Sequence, residues 1–262
     1  MDYKKELAKR IANRQKRSLI DVNTNLAHFA LISYAVPVDK ISPHIPKPFK
    51  LWSFNKNGTD YALISAVPFM DKDFSFYRFA KAIKFKFFQT NFRTYIVNQE
   101  TNEYSAWFFG TTLGSVTNLV PKVFWQMPWE YGKYKFEHSL KDNIYSKYQM
   151  SFSSEQGNGI VDIYSTTQKM KLLEGFESLE QQKFILTHPI VGYYQLGKDI
   201  GRYQIWHPEM KLWQGKSKKL YFEIYERLGF LTKEEMQKPH SVLITPEIEF
   251  DILLPPNKLS SI

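Results

Sequence analysis

From Leu26 onward the chain is a succession of short runs rich in Val, Ile, Tyr, Phe and Trp, each stopped by Pro, Gly or a polar cluster before it reaches the length of a long helix. β-Branched and aromatic side chains suit a pleated, half-buried surface, so runs of this kind read as strands. Residues 26–36 (LAHFALISYAV) form the first and stop at Pro37. Residues 61–69 (YALISAVPF), 91–97 (NFRTYIV) and 104–113 (YSAWFFGTTL) follow, the last two as a hairpin turned at 99–102. Between the first two runs, Pro37, Pro43, Pro46 and Pro48 exclude a long helix or a central strand and leave room for one helical turn near 39–42.

Further along, residues 115–127 (SVTNLVPKVFWQM) place Val116, Leu119, Val123, Phe124 and Met127 roughly on one helical face, and Pro128 closes that helix. Strands are expected at 131–136, 145–152 and 159–167, with Gly157-Asn158-Gly159 as the turn before the last. Residues 178–186 read as a helix, 190–196 and 203–207 as strands, and 216–228 as both helix and strand at once. Residues 241–254 end the fold as a strand with Pro246 at an edge or bend. Many short strands and few helices predict a mainly β (α+β) single domain of barrel or sandwich type.

Residues 1–19 differ from the rest. Lys4, Lys5, Lys9, Arg10, Arg14, Lys16 and Arg17 stand against Asp2 and Glu6, so this segment holds over half of the chain's formal charge of +9. The high pI therefore belongs to one appendage, residues 1–22, and gives no reason to expect specific nucleic-acid binding by the body, residues 23–258. The appendage lacks Gly and Pro and reads as a helical arm with Tyr3, Leu7 and Ile11 on one stripe. Two uses are open: weak contact with an anionic surface, or docking of the thin apolar stripe on its own domain or a sister subunit.

Several chemistries are excluded. With no Cys there are no disulfides, cysteine-held metals or thiol nucleophiles. Neither phosphate-binding glycine motif occurs, nor a G-x-S-x-G elbow, nor an H-x-x-x-H pair, and no metal site or cofactor is expected. No apolar run is long enough to span a bilayer, and the first residues lack a signal-peptide stretch, so a cytoplasmic location is expected.

Four segments in this order carry a resemblance: HFALISYAVPVDKISPHIPKPFKLW; ALISAVPF with NFRTYIV; AWFFGTTL leading to VFWQMPWEYGKYKF; and WHPEMKLW with LGFL and PHSVLITPEIEFDILLPP. Together they resemble the YqjF-like domain of unknown function, a branch of the acetoacetate decarboxylase-like superfamily, over roughly Leu26 to Pro256. The resemblance implies a twisted, mostly antiparallel β-barrel with a central cavity and a few helices, and a homo-oligomer. The decarboxylases work through a lysine amine that forms a Schiff base, kept neutral by a second lysine and burial. The stretch matching that lysine pair is Gln126-Met127-Pro128-Trp129-Glu130, where indole and carboxylate replace both amines. Lys122, Lys133 and Lys135 lie nearby, and nothing singles one out as a substitute.

What remains implied is a cavity for a small acidic or carbonyl compound. Arg93, on an apolar strand, is the candidate carboxylate anchor, since a buried guanidinium needs an anion, supplied by a ligand or by a protein carboxylate such as Glu130 or Glu103. Trp129 is a candidate cavity wall, Glu130 a candidate acid–base residue, and His207 in Trp206-His207-Pro208 a candidate ligand donor or loop support; His240 is weighed the same way. Two functions stand side by side: a small-molecule binder with lyase-type or acid–base activity but no Schiff-base lysine, and a non-catalytic structural or assembly protein with a packed barrel core.

Overall fold

A computed structural model describes residues 1–77, 84–114 and 129–259. Its frame is a thirteen-stranded sheet. The strands are β1 (Val22–Pro37), β2 (Phe49–Leu51), β3 (Ser53–Lys56), β4 (Thr59–Phe76), β5 (Phe85–Asn98), β6 (Tyr104–Leu113) and β7 (Trp129–Lys141). The remainder are β8 (Ile144–Ser154), β9 (Gly157–Lys169), β10 (Val191–Leu196), β11 (Asp199–Trp206), β12 (Trp213–Phe222) and β13 (Ser241–Leu259). Helices are few: α1 (Tyr3–Ala12) and short turns at Val38–Ile41, Leu179–Gln182 and Glu223–Arg227. The helix expected over 115–127 lies outside the described residues. No helix among the described residues is long and apolar enough to cross a membrane.

The strands run longer than their apolar cores suggest, and two local readings change. The ambiguous stretch 216–228 is both things in turn, β12 and then the helix Glu223–Arg227. Gly159 is not a turn residue. It sits inside β9, and a Cβ there would lie 2.1 Å from the Phe152 ring, so glycine is required by close packing; the chain reverses just before it, at Glu155 and Gln156.

β13, β1, β4, β5 and β6 form a run of antiparallel neighbours. Both ends of this run divide. Residues 106–108 of β6 pair in parallel with β10, and 111–113 pair in parallel with β7. β13 pairs with β12 at 243–244 and with β11 through its later residues. Because β10 joins β11, and β7, β8, β9 and β12 are successive neighbours, the sheet closes on itself twice. The result is two rings of strands sharing one wall rather than one regular barrel.

Alternation along the shared wall feeds both interiors. On β1, Ala30, Ile32, Tyr34 and Val36 face one core while Phe29 and Leu31 face the other; on β4, Ala62, Ile64 and Ala66 oppose Leu63, Val67 and Phe69. The nine-strand ring is filled by Tyr148, Met150, Phe152, Phe222, Tyr225 and their neighbours. Two residues in the left-handed region change the phase of the wall. His28 (φ 54°) and Asp73 (φ 63°) interrupt the register between β1 and β4 and between β4 and β5. Leu26 and Phe29 therefore share a side, as do Asp71 and Phe74. Pro246 falls opposite His28, where the paired residues on either side are Ala27 with Glu247 and Phe29 with Thr245. The missing N–H of proline costs nothing at that break.

The basic arm lies against the body. Asp2 caps α1 by accepting from the Lys5 N–H at 3.0 Å. Leu7 is buried and Tyr3 meets Tyr104 and Phe184. Arg10 donates to the carbonyls of Tyr104 (3.0 Å) and His188 (2.5 Å). Burial lowers its pKa to about 10, so it stays charged at neutral pH. Arg14 and Arg17 reach Asp251 at 2.8 and 2.7 Å, and the Trp206 indole donates to the Ile11 carbonyl. Lys4, Lys5, Lys9 and Lys16 remain exposed.

Candidate functional site

The seven-strand ring is hollow. Each of its strands contributes side chains to one cavity of about 90 Å³. Alternate residues point inward: Thr24 and Leu26 from β1, Val67, Phe69 and Asp71 from β4, Gln89, Asn91 and Arg93 from β5. β6 adds Phe108 and Thr111, β10 and β11 add Tyr194 and Tyr203, and β13 adds Phe250 and Ile252. Trp129, at the start of β7, and His207, just after β11, complete the wall. The lining is largely apolar, with Arg93 its one cation and Asp71 its one carboxyl among the described residues.

Among the described residues Arg93 makes one hydrogen bond, from Nη2 to the Leu186 carbonyl at 3.2 Å. Its Nε is buried and unpartnered. Among the described residues no carboxylate forms an ion pair with it. Glu103 is engaged elsewhere, accepting from the Tyr193 hydroxyl at 2.7 Å and pairing with Arg202 at 3.3 Å.

His207 lies parallel to the Phe250 ring at 4.5 Å and 3.9 Å from His188. Burial, and then the mutual presence of the two rings, holds the His207 pKa well below its ordinary value; burial lowers that of His188 to about 4. Both imidazoles are neutral at physiological pH, so they bring hydrogen-bonding groups and no charge. The His207 Nδ1 is spent on the Pro208 carbonyl at 2.8 Å. His240 stands apart from the cavity, its Nε2 on the Glu174 carbonyl at 3.0 Å.

Three of the five candidate residues, Arg93, Trp129 and His207, therefore line one cavity. Glu130 does not. It follows Trp129 directly in β7, paired with Thr112 where Trp129 pairs with Thr111, and successive strand residues face opposite sides. The carboxyl inside the cavity belongs instead to Asp71. Its Oδ1 accepts from Thr24 Oγ1 at 3.0 Å, and its Oδ2 is buried with no partner. Burial raises its pKa to about 7, against the smaller opposite effect of the Thr24 hydrogen bond. The signal in the sequence is the alternation Val67, Phe69, Asp71, hidden because the strand read from the sequence stops at Phe69 and Asp-Lys-Asp reads as a loop.

No lysine lines the cavity among the described residues, and at the start of β7 the indole of Trp129 stands in the wall. The arrangement can hold an anion against Arg93 and exchange a proton or hydrogen bond at Asp71.

The chain matches the family model DUF2071, an uncharacterized conserved protein (COG2071), over residues 23–249. It is similar in structure to the enduracididine biosynthesis enzyme MppR complexed with pyruvate, with a TM-score of 0.61 at 9% identity over 94% of this chain and 92% of that one. It is similar also to acetoacetate decarboxylase from Legionella pneumophila, with a TM-score of 0.58 at 10% identity over 97% of this chain and 95% of that one. An acetoacetate decarboxylase-like enzyme from Sphingomonas wittichii RW1 gives 0.58 at 8% identity, over 94% and 95%. No curated protein matches the chain by sequence. At such identities the likeness is one of fold.

Proposed function

The chain belongs to the DUF2071 family and has an acetoacetate decarboxylase-like fold, and on that premise we propose that it binds a small carboxylate, of which keto acids are the first to test, non-covalently in the ring cavity with Arg93 as the anion anchor. The observation that carries the reading is a buried guanidinium, facing a cavity, with one carbonyl, the ring of Tyr95 at 5.5 Å and, among the described residues, no carboxylate for company. A cation taken out of water is costly unless paired, and an Arg fork matches a ligand carboxylate in two parallel hydrogen bonds. The neutral state of His188 and His207 leaves Arg93 as the charge that selects for an anion. MppR in complex with pyruvate is a protein of this fold with a small keto acid bound.

Covalent ketone activation would need a neutral amine at the carbonyl, and the described lining offers none. The reading is therefore binding without an imine; Lys122, near the lost lysine pair, lies outside the described residues. Thermal shift and calorimetry with pyruvate and acetoacetate test the reading: wild type should respond and Arg93→Gln should not. Borohydride added with either keto acid should leave the intact mass unchanged. Equal ligand response in both proteins would sink the assignment of Arg93, and a reduced adduct would sink the non-covalent mode.

A further inference from the structure

The two unpartnered polar groups of the cavity stand at different levels of the ring. On β5, Gln89, Asn91 and Arg93 point inward, and on β4, Val67, Phe69 and Asp71 do so. The register pairs Ser65 with Arg93 and Asp71 with Phe87. The backbones of Asp71 and Arg93 are thus separated by six residues of strand, about 20 Å at about 3.3 Å per residue, a span the Arg93 side chain alone does not cover. Between them lie the apolar faces of Val67 and Phe69 and the amide of Asn91. The Asn91 Oδ1 is already used by Gln89 and Thr111, at 2.7 and 3.0 Å.

A compact keto acid seated on Arg93 cannot reach across that span. It would leave the buried Oδ2 of Asp71 as bare as it is now, and an unsatisfied buried carboxyl oxygen is costly.

We propose that the preferred ligand is an elongated carboxylic acid with a terminal hydroxyl, its carboxylate on Arg93, its chain along Val67 and Phe69, and its hydroxyl on the free oxygen of Asp71. The proposal rests on the reading of Arg93 as a carboxylate anchor and adds a second pole to it. A hydroxyl is the matching group because it both donates and accepts, so it pairs with Asp71 whether or not the acid carries its proton. Thr24 holds the other oxygen and fixes the direction of the carboxyl.

The test is calorimetry on the full chain with ω-hydroxy acids from ω-hydroxyhexanoate to ω-hydroxytetradecanoate, each beside its unsubstituted parent acid. Wild type, Arg93→Gln and Asp71→Leu are compared, with Thr24→Val as a milder variant that only loosens the Asp71 carboxyl. At the best chain length the terminal hydroxyl should strengthen binding by about tenfold, the worth of one good hydrogen bond. That gain, read in each protein as the ratio of the hydroxy acid to its own parent acid, should vanish in Asp71→Leu and shrink in Thr24→Val. Acids that need Arg93 but gain nothing from the hydroxyl at any length overturn the two-pole proposal alone. Acids indifferent to Arg93→Gln overturn the anchor reading beneath it.

Discussion

Arg93 and Asp71 are charged or chargeable groups kept inside the ring without the partners that would make them cheap to bury. Each therefore has a stability signature separate from binding. Replacing Arg93 by Met exchanges an unpaired buried cation for an apolar chain of similar length, so the ligand-free variant should gain about 1–2 kcal/mol in urea unfolding while losing its keto-acid response. For Asp71 the sign runs the other way from most surface carboxylates. Its folded pKa of about 7 lies above the ordinary 3.8, so the folded state holds the proton more tightly. Stability is undiminished below about pH 4 and falls as pH rises toward 7, by roughly 4 kcal/mol in full. Asp71→Leu should flatten that fall, which unfolding midpoints at pH 4.5 and 7.5 measure; parallel curves for wild type and variant would refute it. Arg93 stood out in the sequence as a lone cation in NFRTYIV, with a protein carboxylate as the competing partner; the structure puts it in the cavity wall. Asp71 was not, since a strand that continues to Phe76 turns a loop-like aspartate into an inward residue.

At the scale of elements, apolar runs located the strands, but their length came from pairing. β1 and β4 extend past their apolar cores because both have strand neighbours on either edge that take up their backbone groups outside the two register breaks. The phase changes at His28 and Asp73 were invisible for a simpler reason: neither residue type announces a left-handed turn of the backbone inside a strand. The arm carries its own prediction. Asp251 is 1% exposed and its charge is matched by Arg14 and Arg17, which are 35% and 20% exposed. The double change Arg14→Gln, Arg17→Gln should lower stability by roughly 2 kcal/mol, below the cost of breaking a fully buried pair because solvent screens the outer partners. Salt titration of the wild type should reproduce part of the loss.

For the molecule as a whole, strand content pointed to a single β domain and the family resemblance to its cavity, while the double closure depended on contacts between residues far apart in sequence, such as the joining of β6 to both β7 and β10. Ala66 and Val67 show what the shared wall does. Ala66 faces the filled ring and Val67 the hollow one. Enlarging Ala66 to Leu should cost about 1–3 kcal/mol through overpacking and also weaken carboxylate binding, since a close-packed interior passes strain to the strand behind it. Calorimetry of Ala66→Leu at a temperature where it remains folded checks this, and unchanged affinity would show the two interiors to be independent.

A partition with a solid room on one side can be pushed from that side. Substitutions whose side chains never meet a guest can then narrow or relax its chamber, so the preferred size of what lodges beside Arg93 is free to drift through sequence changes on the far face of β1 and β4.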